Sequence, residues 1–334
     1  MKNILIIGGT RNTGYFLSQR LIAEGHRLTI LNRGVTPVDL PDSVHRLICD
    51  RTDARQMHRT VANRDFDAVI DMALYKEHEA ETVVDLFRGR VDRYIAISSG
   101  QVYLVRDNAN RPYVESDYDG DLIPEPQPNT YDHEEWRYGM GKRAIEDTLY
   151  RAEAAGDFPV TTLRLPMVNS ERDTFRRLYG YILRVQDGGP VLVPQTPNHP
   201  LRHVYGGDVV AAIMTLLQDG IGQGRAYNIS QDETLSIAQF LHLLGEAIGK
   251  KPDIRYIERD TLEGRGFLPD CSPFSDLWMS ELDNTRSKEE LGMNYTPVSE
   301  YLARIVAYHR ENHIEPPVSY RRRKSEKALG NQNK

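Results

Sequence analysis

The sequence predicts an α/β protein in which a parallel sheet is doubly wound, with helices on both of its faces. Two features of the 334-residue chain predict this: strand-like and helix-like segments alternate through the first half, and a glycine-rich turn follows the first strand. Alternating strands and helices form βαβ units, and right-handed crossovers wind such units into a doubly wound parallel sheet. After Pro166 the alternation is less regular, which indicates a smaller α/β region.

The elements of the first half follow one another in the expected order. Apolar runs predict strands at 3–7, 27–31, 44–49, 67–71, 94–98 and 160–165. Apolar residues that recur one turn apart predict helices at 13–24, 76–87 and 136–153. The carboxyl ends of parallel strands meet at one edge of the sheet, and open α/β sheets bind their ligands there.

The second half is predicted to contain both helices and short strands. We expect helices at 174–185, 207–217, 236–248 and 299–312, and strands at 191–193, 225–229 and 254–257. Residues 1–170, with residues returning from the C-terminal half, are expected to form one domain, and 171–318 a second. The polar segment 319–334, which contains three consecutive arginines, is expected to be a disordered, solvated tail. The segment 103–135, rich in Pro, Asp, Asn and Glu, is expected to be a long loop over the ligand site.

Composition and charge argue against several classes of function. A net charge of -6 gives no general attraction to nucleic acid or anionic lipid. The chain has no long apolar stretch, so neither a membrane span nor a signal peptide is expected. Cys49 and Cys271 are far apart, and the histidines have no metal-ligand spacing. We therefore expect free thiols, no metal site and a cytoplasmic location.

The glycine-rich turn GGTRNTG at residues 8–14 follows a strand, begins a helix and precedes a second strand. Such a turn presents backbone N–H groups and the positive end of a helix to a pyrophosphate. This context is typical of the Rossmann dinucleotide-binding domain, whereas the same glycines without it would be weak support. The candidate cofactor-binding residues of the turn are Gly8, Thr10, Arg11, Asn12, Thr13 and Gly14.

The end of the second predicted strand bears on the choice of dinucleotide. An acidic side chain there would hold the adenosine ribose of NAD, but the chain has Asn32 and Arg33, with Arg11 in the glycine turn. Two guanidinium groups suit a 2′-phosphate, so NADP(H) is favoured and NAD(H) stays open. The alternative is that both arginines only face solvent. Asp50, after the third strand, is a candidate for the adenine amino group or for a helix N-terminus.

A proton-transfer set is predicted at the same edge of the sheet. Tyr138 and Lys142 have the YxxxK spacing, which places them on one helical face, one turn apart. A neighbouring ammonium favours the phenolate, so we expect Lys142 to lower the pKa of Tyr138 and make it a general acid or base. Ser98 and Ser99 end the fifth strand, where a hydroxyl can orient the same substrate oxygen.

These motifs resemble those of the extended and atypical short-chain dehydrogenases/reductases, the NAD(P)-dependent epimerase/dehydratase family. The segment from Ser99 to Tyr103 is similar to the family's Ser-x-x-Val-Tyr, and Tyr138 and Lys142 match its YxxxK. The resemblance implies a Rossmann fold and a catalytic set made of Ser99, Tyr138 and Lys142. Glu146 fits the YxxxKxxxE extension of that motif.

The resemblance also covers the cofactor site. Gly8 and Gly14 match the first and last glycines of the family's GxxGxxG turn, and Arg11 replaces the middle glycine. Asp71 belongs to the strand end that lies near the cofactor in this family. Outside the turn, the expected cofactor-binding residues are Asn32, Arg33, Asp50, Met72, Ala73, Ser98, Pro166 and Val168.

Two departures from the family narrow the chemistry. Dehydratases of this family carry an Asp-Glu pair after the catalytic hydroxyl, where this chain has Gly100 and Gln101. Sugar-nucleotide decarboxylases of the family carry a glutamate at the position of Gln101. Elimination and decarboxylation are therefore disfavoured, and epimerisation or carbonyl reduction remains.

Two classes of function remain open. The first is a nicotinamide-dependent epimerase or reductase, expected to act on a nucleotide sugar, with Arg202, Gln101 and His203 as candidate substrate-binding residues. A structural role for His203 is an equal alternative. The second is a non-catalytic NADP-sensing or RNA-binding Rossmann protein. The complete catalytic set favours the enzyme, because a sensor has no use for it. A homodimer is compatible with either class.

Overall fold

The computed structural model describes residues 1–332 and divides the chain into two compact units. The first unit contains Met1–Pro166, Gly206–Ser230 and Leu282–Asn294. The second contains Met167–Tyr205, Gln231–Glu281 and the chain from Tyr295 onward. The first unit thus ends at Pro166 rather than at 170 and takes two segments from the C-terminal half. The assignment of 171–318 to substrate binding stays a prediction.

The chain forms eleven strands and twelve α-helices within the described residues. The strands are β1 (Asn3–Ile7), β2 (Arg27–Asn32), β3 (His45–Ile48), β4 (Ala68–Asp71), β5 (Arg93–Ser99), β6 (Val160–Leu165), β7 (Val168–Asn169), β8 (Pro190–Pro194), β9 (Val204–Tyr205), β10 (Arg225–Asn228) and β11 (Asp253–Ile257). The helices are α1 (Asn12–Ala23), α2 (Ala54–Val61), α3 (Glu77–Phe87), α4 (Gln101–Leu104), α5 (Tyr131–Ala154), α6 (Arg177–Gln186), α7 (Gly206–Asp219), α8 (Ile237–Ile248), α9 (Arg259–Gly264), α10 (Thr285–Leu291), α11 (Val298–Glu311) and α12 (Arg323–Gln332).

The first unit is built on a seven-stranded sheet in the order β10-β6-β5-β4-β1-β2-β3. Every neighbouring pair is parallel, and the order of connection reverses between β1 and β4. This confirms the predicted doubly wound parallel sheet. The central strands β1 and β4 are almost entirely buried, as expected for strands covered by helices on both faces. The carboxyl edge at the β1–β4 reversal is the expected ligand site of such a sheet.

The second unit is a smaller α/β assembly, also as predicted. Its strands form two short parallel pairs, β7 with β9 and β8 with β11. Helices α6, α8 and α11 pack around one apolar core that includes Tyr181, Phe240 and Tyr301.

The structure departs from the sequence prediction at the start of α5. The helix begins at Tyr131 rather than at 136, because the Thr130 hydroxyl accepts a hydrogen bond from the His133 backbone N–H at 3.2 Å. The first turn is polar, so apolar periodicity gave no sign of it. Residues 103–135 are consequently not one continuous loop, since they also contain part of α4 and a 3₁₀ turn at Glu115–Tyr118.

The expected disorder of the tail from Ser319 is wrong for the described residues. A 3₁₀ turn at Val318–Arg322 leads into α12, which buries Glu326 and Leu329. The fully buried Arg184 guanidinium donates to both carboxylate oxygens of Glu326, at 2.9 and 2.7 Å. A buried arginine needs such a partner, so this ion pair holds the tail in place. Residues 333 and 334 of the predicted tail lie outside the described residues.

The described residues contain neither a candidate membrane span nor a metal-ligand cluster. No helix among residues 1–332 is both long enough and apolar enough to cross a membrane. Nor does the described part of the chain contain three His, Cys, Asp or Glu side chains grouped as metal ligands. Cys49 and Cys271 are buried free thiols.

Candidate active site

The glycine turn between β1 and α1 has the shape of a phosphate cradle. Gly8 and Gly9 have φ values of +99° and +79°, which side-chain-bearing residues rarely adopt. A Cβ on Gly14 would lie 2.7 Å from the Gly9 Cα, so only glycine lets α1 begin this close to the turn. The N-terminal N–H groups and positive end of α1 lie at the position predicted for a dinucleotide pyrophosphate.

The end of β4 forms a second wall beside the turn. A Cβ on Gly8 would lie 3.5 Å from the Cβ atoms of both Met72 and Ala73. Asp71 is fully buried and accepts hydrogen bonds from Arg51 at 2.6 Å and from the Tyr94 hydroxyl at 2.7 Å. These bonds fix the strand end against which the predicted cofactor-binding residues lie.

The arginines expected to select the dinucleotide are exposed and belong to adjacent segments. Arg11 donates from Nε to the Thr36 hydroxyl at 2.9 Å, so it reaches the segment that follows β2 and begins with Arg33. Hydrogen bonds from Thr52 and, less strongly, the charge of Arg33 hold the pKa of Asp50 below its ordinary value. Asn32 accepts a bond from the Gly34 N–H at 2.7 Å, which closes the turn after β2. These contacts place three predicted cofactor-binding residues near one another in the first unit: Arg11, Arg33 and Asp50.

The predicted catalytic residues are brought together. Ser99, at the end of β5, lies close enough to the Tyr138 phenol on α5 for its hydroxyl to favour the charged form of that phenol. The Lys142 Nζ lies 5.9 Å from the centroid of the Tyr138 ring. It donates to the backbone carbonyls of Leu74 at 2.7 Å and Ile97 at 3.2 Å, at the ends of β4 and β5. The three side chains therefore meet at the carboxyl edge of the sheet.

The pKa values of this set differ from our expectation. Although 39% of the Tyr138 surface is exposed, desolvation raises the pKa of its phenol to about 12, against the lowering effect of the nearby Ser99 hydroxyl. Burial also lowers the pKa of Lys142 to about 8. The predicted lowering of the Tyr138 pKa by Lys142 is therefore wrong for this structure. Desolvation is the largest influence on the pKa of Tyr138, and the Lys142 ammonium donates instead to the Leu74 and Ile97 carbonyls.

Ser98 has surroundings different from those of its neighbour. Successive side chains of a strand point to opposite faces, so Ser98 and Ser99 cannot both face the site. The Ser98 hydroxyl donates to the buried carboxylate of Glu146, which also binds the Arg164 guanidinium at 2.6 Å. This buried group ties α5 to β5 and β6 and so holds Tyr138 in register. The cofactor contact predicted for Ser98 stays a prediction.

Comparison with protein families shows to which family the chain belongs. The model of the NAD dependent epimerase/dehydratase family matches residues 4–88 and 82–230, which is more than half of the chain. The chain belongs to the NAD dependent epimerase/dehydratase family. It is therefore a member of a family of nicotinamide-dependent enzymes, as its motifs indicated.

Individual relatives of this family member are distant. It is 33% identical over 119 residues to chloroplast stem-loop binding protein of 41 kDa b from Arabidopsis thaliana, which covers 32% of this chain and 31% of that protein. It is 24% identical over 251 residues to 2′-dehydrokanamycin reductase from Streptomyces kanamyceticus, which covers 74% and 67%. The matched regions thus span about a third and about two thirds of the relatives' lengths.

Solved structures share the fold. The UDP-glucose 4-epimerase of Thermotoga maritima, solved with UDP-glucose, superposes with a TM-score of 0.72 at 20% identity, over 92% of this chain and 99% of that one. The Bordetella bronchiseptica enzyme WbmH, solved with NAD+, gives 0.70 at 20% identity, over 94% and 100%.

Glu135 lies beside the predicted catalytic residues, and no sequence pattern had indicated it. Glu135 lies one turn before Tyr138 on α5 and accepts a hydrogen bond from the Gln101 amide at 2.5 Å. A Cβ on Gly139 would lie 2.8 Å from the Gln101 carbonyl oxygen, so the glycine lets α4 and α5 approach closely. The sequence shows that Glu135 stands three residues before Tyr138, a spacing that places two side chains on one helical face. The helix predicted from apolar periodicity starts after Glu135, so this relationship was not recognised.

Three of the predicted residues, Val168, Arg202 and His203, lie in the second unit. Val168 pairs with Val204 in the β7–β9 ladder. Arg202 is buried and donates to the Gln231 carbonyl at 3.2 Å.

His203 is also buried, and its ring lies edge-on to Phe274 at 4.6 Å. Burial lowers the pKa of His203 to about 3, so the ring is neutral at physiological pH. This packing favours the structural alternative for His203. The roles implied for Val168 and Arg202 stay predictions.

Proposed function

We propose that this protein is an NADP-dependent reductase or epimerase of a sugar or nucleotide sugar, in which Tyr138 moves the proton. One observation carries the proposal: the Ser99 and Tyr138 side chains lie together at the carboxyl edge of the sheet, next to the buried Lys142. When bound, a nicotinamide dinucleotide would supply or accept the hydride.

The side chains of the set have distinct tasks in this proposal. Ser99 and Tyr138 both donate a hydrogen bond to the oxygen of the reacting carbon. With a pKa of about 12, the Tyr138 phenol is protonated at neutral pH and is ready to give its proton to a carbonyl oxygen. This favours the reductive direction. Lys142, whose Nζ lies 5.9 Å from the centroid of the Tyr138 ring, stabilises the negative charge left on the phenol.

The glycine cradle would hold the pyrophosphate through the backbone around Gly8 and Gly14. Thr10, Asn12 and Thr13 line the start of α1, and Arg11 and Arg33 would clamp the adenosine 2′-phosphate. We assign Asp50 to the adenine, and Met72, Ala73 and Pro166 to the walls of the site. The preference for NADP rests on the two exposed arginines and on the absence of an acidic residue at the end of β2.

The proposed substrate class follows from the two reactions that remain, epimerisation and carbonyl reduction. Gly100 and Gln101 supply no acid for elimination, which leaves epimerisation or reduction. The relatives named above include a 2′-dehydrokanamycin reductase and a UDP-glucose 4-epimerase, and both names fit this chemistry. A nucleotide sugar or another glycoside with a carbonyl or secondary hydroxyl group is therefore the proposed substrate class.

The experiment begins with the purified protein. Mass spectrometry and absorbance near the reduced-nicotinamide band identify any dinucleotide that copurifies, and a panel of nucleotide sugars and keto-glycosides is then tested with NADPH and NADH. We expect NADPH oxidation with a keto sugar or interconversion of epimers. Failure to bind either dinucleotide, or binding with no turnover of any panel member, would count against the enzyme.

A second candidate, RNA binding, is favoured by one observation: the match to chloroplast stem-loop binding protein of 41 kDa b. The net charge of -6 opposes it, since RNA-binding surfaces are usually basic. Titration of stem-loop RNA at low and high salt separates the two candidates. Tight binding that weakens steeply with salt would support RNA recognition.

A further inference from the structure

Tyr75 is an exposed aromatic residue at the carboxyl edge of the sheet, and the proton transfer described above does not use it. It lies between the end of β4 and the start of α3, and 59% of its surface is exposed. The preceding Leu74, by contrast, packs in the apolar core. A single exposed aromatic side chain far from any site needs no explanation, so the surroundings of Tyr75 decide what it does.

The ring of Tyr75 lies beside the proposed catalytic set. The Lys142 Nζ is 5.2 Å from the centroid of the Tyr75 ring and 5.9 Å from the centroid of the Tyr138 ring. One ammonium thus borders both rings. The Tyr75 phenol is also close enough to Tyr138 to contribute to the raised pKa of the Tyr138 phenol. A substrate whose oxygen contacts Tyr138 therefore lies near the exposed ring of Tyr75.

The backbone around Tyr75 is held in place before a ligand binds. The Tyr75 N–H donates to the carboxylate of Glu79 at 2.9 Å, and Glu79 is buried in the first turn of α3. The Leu74 carbonyl accepts a bond from the Lys142 ammonium on α5 at 2.7 Å. These two bonds tie the segment to both helices. A tyrosine on a fixed backbone loses little conformational entropy on binding, because its side chain has two rotatable angles.

A purely structural role accounts poorly for Tyr75. Two backbone carbonyls, those of Leu74 and Ile97, already hold the Lys142 ammonium, and a contact between that ammonium and the ring needs no phenolic hydroxyl. Within residues 1–332 the Tyr75 hydroxyl makes no hydrogen bond to another residue. The side chain thus offers a ligand both an open aromatic surface and a free hydroxyl.

A sugar ring matches both of these features. The face of an aromatic ring is weakly negative, so it attracts the weakly positive C–H groups on one side of a pyranose. The hydroxyl at the rim of the aromatic ring can exchange a hydrogen bond with a hydroxyl of the sugar. Sites for small ligands combine apolar and aromatic walls with a few such polar groups.

We propose that Tyr75 is a substrate-binding residue whose ring packs against the C–H face of a pyranose and whose hydroxyl bonds to a sugar hydroxyl. The inference rests on the proposed function, because it places the pyranose next to the oxygen that contacts Ser99 and Tyr138. It assigns the contact to the sugar part of the substrate and not to a nucleotide or to the dinucleotide cofactor.

The experiment separates the sugar from the nucleotide. Calorimetry measures the Kd of UDP-glucose, UDP-galactose and UDP in the presence of NADP+, and kcat and KM are measured for the two UDP-sugars with NADP+ and NAD+. The variants are Tyr75→Ala, Tyr75→Phe and the control Tyr256→Ala, which removes a tyrosine on β11 with 48% of its surface exposed. Melting temperature and dinucleotide Kd report whether each variant is folded.

Tyr75→Ala should raise the Kd or KM of at least one UDP-sugar about 10- to 100-fold, because the ring contact and the hydroxyl are both lost. The Kd of UDP, the dinucleotide Kd and kcat should stay within about 3-fold, as expected for a group that binds the ground state and the transition state equally. Tyr75→Phe keeps the ring and should weaken sugar binding only about 3- to 10-fold. Tyr256→Ala should behave as the wild type.

The inference is overturned if Tyr75→Ala leaves the Kd of both UDP-sugars unchanged, or weakens UDP or the dinucleotide as much as the sugars. A fall in kcat at constant KM also overturns it, because Tyr75 would then act on Lys142. Failure of the wild type to bind either UDP-sugar has the same consequence. Binding of a UDP-sugar that depends on Tyr75, without turnover by either dinucleotide, would leave the inference standing and count against the proposed function.

Discussion

The Ser99 hydroxyl at the end of β5 lies next to the Tyr138 phenol on α5. The strand is buried in the sheet, and α5 is tied to it through the contact between Ser98 and Glu146. Two donors that can contact one substrate oxygen are therefore positioned before the substrate binds. Such preorganisation is the usual source of electrostatic stabilisation in active sites.

The first prediction concerns the choice of dinucleotide. Arg33→Asp replaces a cation at the proposed 2′-phosphate site by an anion, so the NADP Kd should rise and the ratio of NADP to NAD affinity should fall about 10- to 100-fold. Arg27→Asp, at the opposite end of β2, is the matched control and should leave the ratio unchanged. Fluorescence titration with both dinucleotides measures the two Kd values and hence the ratio of NADP to NAD affinity. An unaltered ratio in Arg33→Asp would discard the phosphate clamp.

The second prediction concerns the contact between α4 and α5. Gly139→Ala forces a methyl group to within 2.8 Å of the Gln101 carbonyl oxygen, which should displace Tyr138 and lower kcat/KM about 10-fold or more. In Gly141→Ala the nearest atom is the Tyr75 carbonyl oxygen at 3.8 Å, so this control should keep its activity and gain helix stability. Equal activity in the two variants would show that the close approach is not needed.

The third prediction follows from the buried Lys142. Burial lowers its pKa to about 8 in the folded protein, whereas an unfolded lysine titrates near about 10.4. Between these values the unfolded chain binds more protons, so this group makes the wild type more stable as pH rises. The free energy of unfolding of the wild type, relative to Lys142→Met, should rise by up to about 3 kcal/mol between pH 7 and about 10.5.

Urea unfolding of the protein without cofactor, at several pH values, measures this difference. Lys251→Met removes an exposed lysine and serves as the control, for which the stability difference should not change with pH. If the curves of wild type and Lys142→Met run parallel across this range, the lysine is not perturbed by burial.

The fourth prediction concerns the C-terminal helix. Glu326→Ala leaves the fully buried Arg184 without its carboxylate partner, which should cost about 3–5 kcal/mol of stability. Lys324→Ala removes an exposed side chain of the same helix and should change stability by less than about 0.5 kcal/mol. Denaturant unfolding compares the two. If both variants were equally stable, the ion pair would not hold the tail in place, and the disorder that its composition suggested would stand.

Much of the fold could be predicted because its signals are local. The apolar run of β1, the glycines of the turn and the YxxxK spacing each depend on residues close together in sequence. The right-handed crossover rule then places these local features at one edge of the sheet. The positions of Gly14, Ser99, Tyr138 and Lys142 follow from that reasoning.

The rest depended on contacts between distant residues. The pairing of Arg184 with Glu326 cannot be read from the composition of the tail, and the Thr130 cap begins α5 where no apolar repeat exists. The pKa of Tyr138 is set by how deeply the folded chain encloses the phenol. By contrast, the sequence alone could have shown that Ser98 and Ser99 point to opposite faces of the strand, because side chains alternate along a strand.

The central claim is that Tyr138 carries the proton in a nicotinamide-dependent reaction. The most direct measurement compares kcat and dinucleotide Kd in the wild type, Tyr138→Phe and the control Tyr131→Phe, an exposed tyrosine of the same helix. Removal of the phenolic hydroxyl should lower kcat about 10²- to 10⁴-fold, with dinucleotide Kd within about 3-fold and Tyr131→Phe unchanged. Wild-type turnover by Tyr138→Phe would contradict the account.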